Sequence, residues 1–345
     1  MTTINPALTP IQQATAWSKD QVRFHPNLPE LLNAVVGQTI NSVSASDLNL
    51  VFDEATGKAV IRNRDANPVR KIMNAVDALA GESFYLRPNG HKYYTRSWGQ
   101  HTDVEVVRNQ RASERGKSIL LYGAPGTGKT AMFEGAFGED LITVLGTGDT
   151  EVGDLVGGYV QTVAGGFEWI DGPLVQAAEQ GKVLLIDEIG LIDPKVLSVV
   201  YGLMDGRKEL KVTANPERAI VKAKEGFFVV AATNPNAPGV NLSEALLSRF
   251  GIQAEMTTDW SLAKKLGVPA QAVTCAQNLF KKQQSDEVNW SPQMRELLDF
   301  RDIAEDLGTE WAVSNLIAQA PFEDRAIVAD VFTRVFGTEF KPAKI

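Results

Sequence analysis

The sequence predicts an α/β domain built on a buried parallel sheet, followed by a small all-helical domain, and three observations predict it. Five short apolar runs, Ile119–Tyr122, Leu141–Leu145, Val183–Ile186, Phe227–Ala232 and Ile252–Met256, alternate with segments of helical period. That is the pattern of strands covered by helices on both faces. The first run leads straight into a glycine-rich loop, and the third ends in two adjacent carboxylates. After Asp259 the runs stop, and only helix-period segments remain to Phe336.

Three regions follow from this: 1–102, 103–257 for the sheet and 258–345 for the helices. A chain of 345 residues fits two or three domains. With 44% hydrophobic and 22% charged residues it can bury an ordinary core, and it is neither disordered nor fibrous. One cysteine, Cys275, excludes an intramolecular disulfide and a cysteine-based zinc site. The balance of 34 basic against 42 acidic side chains argues against broad nucleic-acid binding, although a local basic groove could hide in it. No apolar run is long enough to span a bilayer, and the N-terminus has no signal-peptide pattern. The expectation is a soluble, cytoplasmic protein without a membrane partner.

Residues 1–102 carry no readable motif. Their spacing predicts a helix over 68–80 and a hairpin over 84–94, with turn residues between two aromatic runs. Phe84, Tyr85, Tyr93, Tyr94 and Trp98 read as a small hairpin core or as a partner surface. A charged helix is expected from Asp103 towards Arg115.

Gly123-Ala124-Pro125-Gly126-Thr127-Gly128-Lys129-Thr130 fits G-x-x-x-x-G-K-S/T between a strand and a helix. Its glycines let backbone N–H groups turn inward onto a phosphate, where the helix N-terminus adds its dipole. Lys129 can then reach the β- and γ-oxygens, and Thr130 offers a hydroxyl to Mg²⁺. A competing pattern, Gly126-x-Gly128-x-x-Ala131 with Asp149 further on, fits a dinucleotide fingerprint but leaves Lys129 and Thr130 unexplained.

The carboxylates Asp187 and Glu188 close a buried strand, so they fall beside the loop at the C-terminal edge of the sheet. Asp187 suits Mg²⁺, and Glu188 suits activation of an attacking water. Asn234, ending the next strand, could contact that water or the γ-phosphate, with a turn residue before Pro235 as the alternative. Leu242–Phe250 reads as a helix carrying Arg249 near its end. That arginine suits a neighbouring subunit's γ-phosphate, or simply complements the helix dipole.

Together these residues resemble the AAA+ ATPases, and more closely their MoxR-like branch, over roughly Asp103 to Phe340. Two further segments carry the resemblance. Asp154–Tyr159 through Phe167–Leu174 is similar to the family's helix-2 insertion, with Tyr159–Val163 and Phe167–Ile170 flanking the turn Ala164-Gly165-Gly166. Glu209–Thr213 and Arg218–Lys222 resemble the hairpin that precedes sensor 1. The resemblance implies that the first hairpin faces the pore of a ring; an ordinary surface hairpin is the alternative. Trp290–Leu297 is similar to sensor 2, which gives Arg295 a γ-phosphate role. Gln293 and Met294 intervene where many relatives place the arginine directly, and Arg301 is the second candidate.

The implied cofactors are ATP and Mg²⁺, and ATP is favoured over GTP because Ala232–Asn236 lacks the element of the 5-methylcytosine-restriction GTPases. The implied catalytic group is Glu188, Asn234, Arg249 and Arg295, with Gly123 to Thr130 and Asp187 holding the nucleotide and Thr130 with Asp187 holding the metal. The resemblance further implies a homo-oligomeric ring, expected as a hexamer, that remodels a client protein. Such proteins often work with a partner of the von Willebrand factor A type. The alternative is a nucleic-acid-directed motor or nuclease-associated ATPase, for which Lys208, Lys211, Arg218, Lys222 and Lys224 supply a basic lean. A nucleotide-gated scaffold is a third class, disfavoured by Glu188, Asn234 and Arg249 occurring together.

Overall fold

Five strands form one parallel sheet, β7 (Ile119–Tyr122), β8 (Leu141–Leu145), β11 (Val183–Asp187), β14 (Phe228–Thr233) and β15 (Ile252–Glu255), in the order β15-β7-β14-β11-β8. The computed structural model describes residues 50–53, 58–61, 84–163, 165–218 and 220–344. Burial explains the sheet order. All six residues of β14 are buried, as are the first four of β11 and the first three of β7. The outer strands β8 and β15 are only partly covered. Continuous apolar strands therefore take the middle, where both faces are shielded, and the strands with polar positions take the edges. Register is shared across the centre, with Val183 opposite both Phe228 and Leu141.

The chain divides into two units, Met1–Thr95 and Arg96–Ile345. In the first, β1 (Leu50–Asp53) pairs with β2 (Lys58–Ile61), and β3 (Phe84–Leu86) with β4 (Lys92–Tyr94), both antiparallel. The expected hairpin over 84–94 is present, with Phe84 and Tyr93 buried; the expected helix over 68–80 lies outside the described residues. In the second unit, β5 (Ser97–Trp98) and β6 (His101–Thr102) form a two-residue hairpin before α1 (Asp103–Ala112). Thr102 caps that helix. Its hydroxyl accepts from the Glu105 N–H while the Glu105 carboxylate accepts from the Thr102 N–H, a reciprocal capping box.

Between the sheet strands run α2 (Lys129–Phe137), α3 (Val152–Val156) and α4 (Pro173–Gln180). The hairpin of β9 (Gly157–Gln161) and β10 (Phe167–Asp171) is inserted between the last two. It starts two residues earlier than the aromatic pattern alone suggests, because Gly157 and Gly158 pair with Asp171 and Ile170. The short helices α5 (Pro194–Leu197) and α6 (Tyr201–Met204) precede a second hairpin, β12 (Glu209–Lys211) with β13 (Ile220–Lys222). Only α7 (Glu244–Leu247) forms in the segment expected as a helix over 242–250, so Arg249 stands just beyond it. Ser243 caps this turn through the Leu246 N–H.

After β15 the chain is helical: α8 (Trp260–Lys265), α9 (Ala270–Gln284), α10 (Met294–Leu307), α11 (Thr309–Gln319) and α12 (Arg325–Phe336). They bury their own core, including Val273, Leu279, Leu297, Phe300, Val313 and Phe332, separate from the core of the sheet. Among the described residues no helix is long and apolar enough to cross a membrane.

Candidate functional site

The loop from Gly123 to Gly128 leaves the C-terminal end of β7, flanked by the ends of β14 and β15. The Gly123 N–H donates to Thr233 O at 3.2 Å, and the Met256 N–H to Tyr122 O at 2.8 Å. Gly123 has a φ of 141°, and a Cβ there would stand 2.5 Å from Met256 O, so only glycine fits. Gly126, at φ 77°, faces the helical domain, where Arg295 Cβ lies 3.1 Å from the place a side chain would take. The loop is thus pinched between strand end and helical domain, and the glycines make that closeness possible.

Lys129, at the first turn of α2, is only 6% exposed. Its Nζ donates to Gly123 O at 2.8 Å and Ala124 O at 2.9 Å, which tucks the side chain back along the loop. Burial pulls the Lys129 pKa down, while the charges of Glu188 and Asp187 oppose that pull. Next to it, Thr130 Oγ1 donates to Asp187 Oδ2 at 2.8 Å. The other carboxylate oxygen of Asp187 accepts the Glu188 N–H at 3.1 Å. A hydroxyl and a carboxylate in contact beside a glycine loop are donors that could hold a Mg²⁺ whose other ligands would be waters and phosphate oxygens. Among the described residues no cluster of three or more His, Cys, Asp or Glu forms an all-protein cage, and this kind of site requires none.

Glu188 adopts the left-handed conformation, φ 51°, unusual for a residue with a side chain. Its Oε2 accepts the backbone N–H of Asn234 at 3.3 Å. The Asn234 side chain takes the turn role that the sequence also offered: its Oδ1 accepts the Asn236 N–H at 3.2 Å, closing the turn after β14. The backbone at Asn234, rather than its amide, therefore meets the carboxylate.

The helical domain brings Arg295 to this place. The Arg295 N–H donates to Gly126 O at 3.2 Å, and its charge acts on Lys129. Arg301 is committed within its own domain, donating to Leu266 O at 2.7 Å and pairing with Asp302. Lys129, Thr130, Asp187, Glu188, Asn234 and Arg295 are gathered around one loop; Arg249 makes no bond to any of them. Asp149, the acidic residue of the dinucleotide pattern, is exposed, and its backbone N–H donates to the Thr147 hydroxyl at 3.3 Å.

Two features escaped the sequence. Arg96 ties the loop to the connection between domains, donating from Nη2 to Thr127 O at 2.6 Å and from Nη1 to Thr257 O at 2.7 Å. It borders a cavity of about 360 Å³ also lined by Trp98, Met132, Met256, Thr257 and Asp259. The second is a buried chain of amide and hydroxyl groups. Thr258 donates to Gln293 Oε1 at 2.7 Å, and Gln293 Nε2 donates to Ser291 Oγ at 3.0 Å. Gln293 also caps α10 in a capping box with Glu296, which explains the residues intervening before Arg295. Neither feature has a local pattern, because each joins segments more than thirty residues apart.

The loop of the second hairpin reaches the base of the first. Arg218 pairs with Asp171, which ends β10, and with Glu179 on α4, at 2.7 Å. Those two carboxylates hold the Arg218 pKa above its usual value. Tyr159, Val160, Phe167 and Ile170 on the first hairpin are half to mostly exposed, and Tyr159 packs edge-on to Trp169 with ring centres 5.2 Å apart.

Residues 118–250 match the family model of the AAA domain, dynein-related subfamily. An uncharacterized protein of Bacillus subtilis, YojN, is 29% identical over 228 residues, covering 61% of this chain and 74% of that one. An uncharacterized protein of Staphylococcus epidermidis is 33% identical over 161 residues, covering 44% of this chain and 60% of its relative. A crystal structure from Cytophaga hutchinsonii, 16% identical, covers 70% of this chain and 93% of that one at a TM-score of 0.35. Residues 118–250 match an AAA-type ATPase domain, and the parallel sheet with its loop has the α/β P-loop fold.

Proposed function

We propose that this chain binds ATP with Mg²⁺ and hydrolyses it as a cytoplasmic, ring-forming protein of the MoxR-like kind that remodels a client protein. The observation that carries the reading is the convergence of Lys129, the Thr130–Asp187 pair, Glu188 and Arg295 on one glycine loop. Lys129 exchanges its loop carbonyls for the β- and γ-phosphate oxygens, and Thr130 and Asp187 hold the metal. The metal, when bound, supplies charge neutralisation at the phosphates.

Glu188 accepts the proton of a water whose oxygen attacks the γ-phosphorus. The bond from that phosphorus to the bridging oxygen breaks, leaving ADP and phosphate. Glu188 needs no large movement for this, because the Asn234 N–H and the strained backbone already fix its carboxylate. Arg295 meets the γ-phosphate from the helical domain, so nucleotide state and domain position are linked through one side chain. The cavity beside Trp98 and Met256 receives the base.

Arg249 completes the site of a neighbouring copy in the ring, expected as a hexamer. The exposed aromatic hairpin is the gripping element, and a von Willebrand factor A-type protein is one candidate partner. The basic lean of the second hairpin gives a nucleic-acid motor less support than its sequence suggests, because Arg218 is neutralised by Asp171 and Glu179.

The test is a pull-down with Glu188→Gln, with and without ATP and with nuclease in parallel. A protein retained only with ATP and indifferent to nuclease supports the reading. Nucleic acid recovered at low salt and lost at high salt overturns it in favour of a motor.

A further inference from the structure

Among the described residues no carboxylate forms an ion pair with Arg249. Its guanidinium carbon lies 3.9 Å over the Tyr201 ring, its Nη1 donates to Ala245 O at 2.5 Å, and its Nε is buried with no partner. Asp205 lies close enough for its carboxyl to feel Arg249, but Arg207 takes that carboxylate, with Nη2 at 2.7 Å and Nε at 3.1 Å.

Tyr201 is differently placed. It opens α6, is half-buried, and packs against the core of the sheet domain. The ring is therefore fixed to the body of the domain, and the guanidinium rests on it. A guanidinium bonds through the N–H groups of its edge and stacks through its faces. Stacking on a fixed ring and the Nη1 bond to Ala245 O hold the fork in one plane, and an incoming phosphate would take Nη1 from that carbonyl at the exposed surface. The ring also compensates part of the charge without a carboxylate that would compete with an incoming anion.

We infer that Tyr201 is a positioning residue for Arg249: its ring fixes the plane in which the guanidinium is presented to the γ-phosphate held by a second copy of this chain. The inference rests on the reading of Arg249 as a group acting in trans, and the experiment separates the two. Steady-state ATP hydrolysis is measured for Arg249→Ala, Tyr201→Leu and Tyr201→Phe at assembling concentrations. Expected are a large loss of kcat for Arg249→Ala and a loss of about 3- to 30-fold for Tyr201→Leu with little change in KM. Tyr201→Phe, which keeps the ring, should stay close to wild type.

Mixing Tyr201→Leu with Glu188→Gln protomers should restore turnover. The second supplies an intact Arg249 to the intact site of the first, which a merely misfolded protomer could not use. Arg249→Lys keeps the charge without the planar fork, so it should fall with Tyr201→Leu and covers the case in which the leucine variant does not fold. A full kcat in Arg249→Ala would remove the in-trans reading itself. Loss in Arg249→Ala with unchanged kcat in Tyr201→Leu, or equal loss in the phenylalanine variant, would overturn the role of Tyr201 alone.

Discussion

The phosphate loop and the inserted hairpin are built on opposite terms. Around the loop, buried and half-buried polar groups meet partners inside the chain: Lys129 on Gly123 and Ala124, Thr130 on Asp187, Glu188 on Asn234, Arg96 on Thr127. In the hairpin, Tyr159, Val160, Phe167 and Ile170 leave apolar surface in water, and the anchoring lies at its base, through Arg218, Asp171 and Glu179. A two-stranded hairpin is marginal by itself, so this charged clasp gives it a fixed root while its tip stays open. The difference is one of satisfaction: the polar groups of the loop find partners within the chain, while the apolar groups of the hairpin stay exposed.

Breaking the loop should have the largest effect. Lys129→Ala removes the buried cation and is expected to weaken ATP binding about 100-fold or more, measured by titration calorimetry. Unaltered affinity would mean that the loop does not hold phosphate. The clasp comes next. Arg218→Ala leaves Asp171 and Glu179 without their counter-charge, although solvent screening limits the loss to about 1 kcal/mol of unfolding free energy. Hydrogen exchange should quicken across β9 and β10 while the loop stays protected, which a global loss of stability would not produce.

A similar cost of about 1 kcal/mol is expected for Thr102→Ala, which removes the cap of α1. Phe167→Ser should sharpen the contrast from the other side. The unfolding free energy from denaturant titration should stay within about 0.5 kcal/mol of wild type because the ring is already exposed, and a larger loss would show that the hairpin packs on its own domain.

The smallest effect concerns Cys275. Burial pushes its thiol up to about 12, so the folded protein favours the neutral form. That contribution is complete below the ordinary thiol range and is lost as pH rises towards 12. At neutral pH the native thiol should resist alkylation that the unfolded chain undergoes readily, as mass spectrometry would read.

Legibility followed locality. The five strands, the loop and the carboxylate pair could be read because each lies within a few neighbouring residues and announces itself by apolar runs, glycines or charge. Both hairpins were legible for the same reason, with ends displaced by one or two residues where glycines or loops adjust the pairing. Asn234 shows the limit: its residue type offered both a contact at the nucleotide and a turn before Pro235, and the fold adds what neither named, a backbone N–H on Glu188. Arg249 shows another, since a helix expected to carry it ends at Leu247.

By itself the sequence determined the α/β class, the parallel strands, the phosphate loop and the residue types needed around it, because hydrophobic period and loop chemistry act over short stretches of chain. Only the tertiary structure decided that Arg295 and not Arg301 reaches Gly126, that Arg96 joins Thr127 to Thr257, and that Tyr201 lies under Arg249. Each of those choices pairs groups far apart in sequence, and a hydrogen bond or a ring contact of a few ångströms is set by packing, which no local pattern encodes.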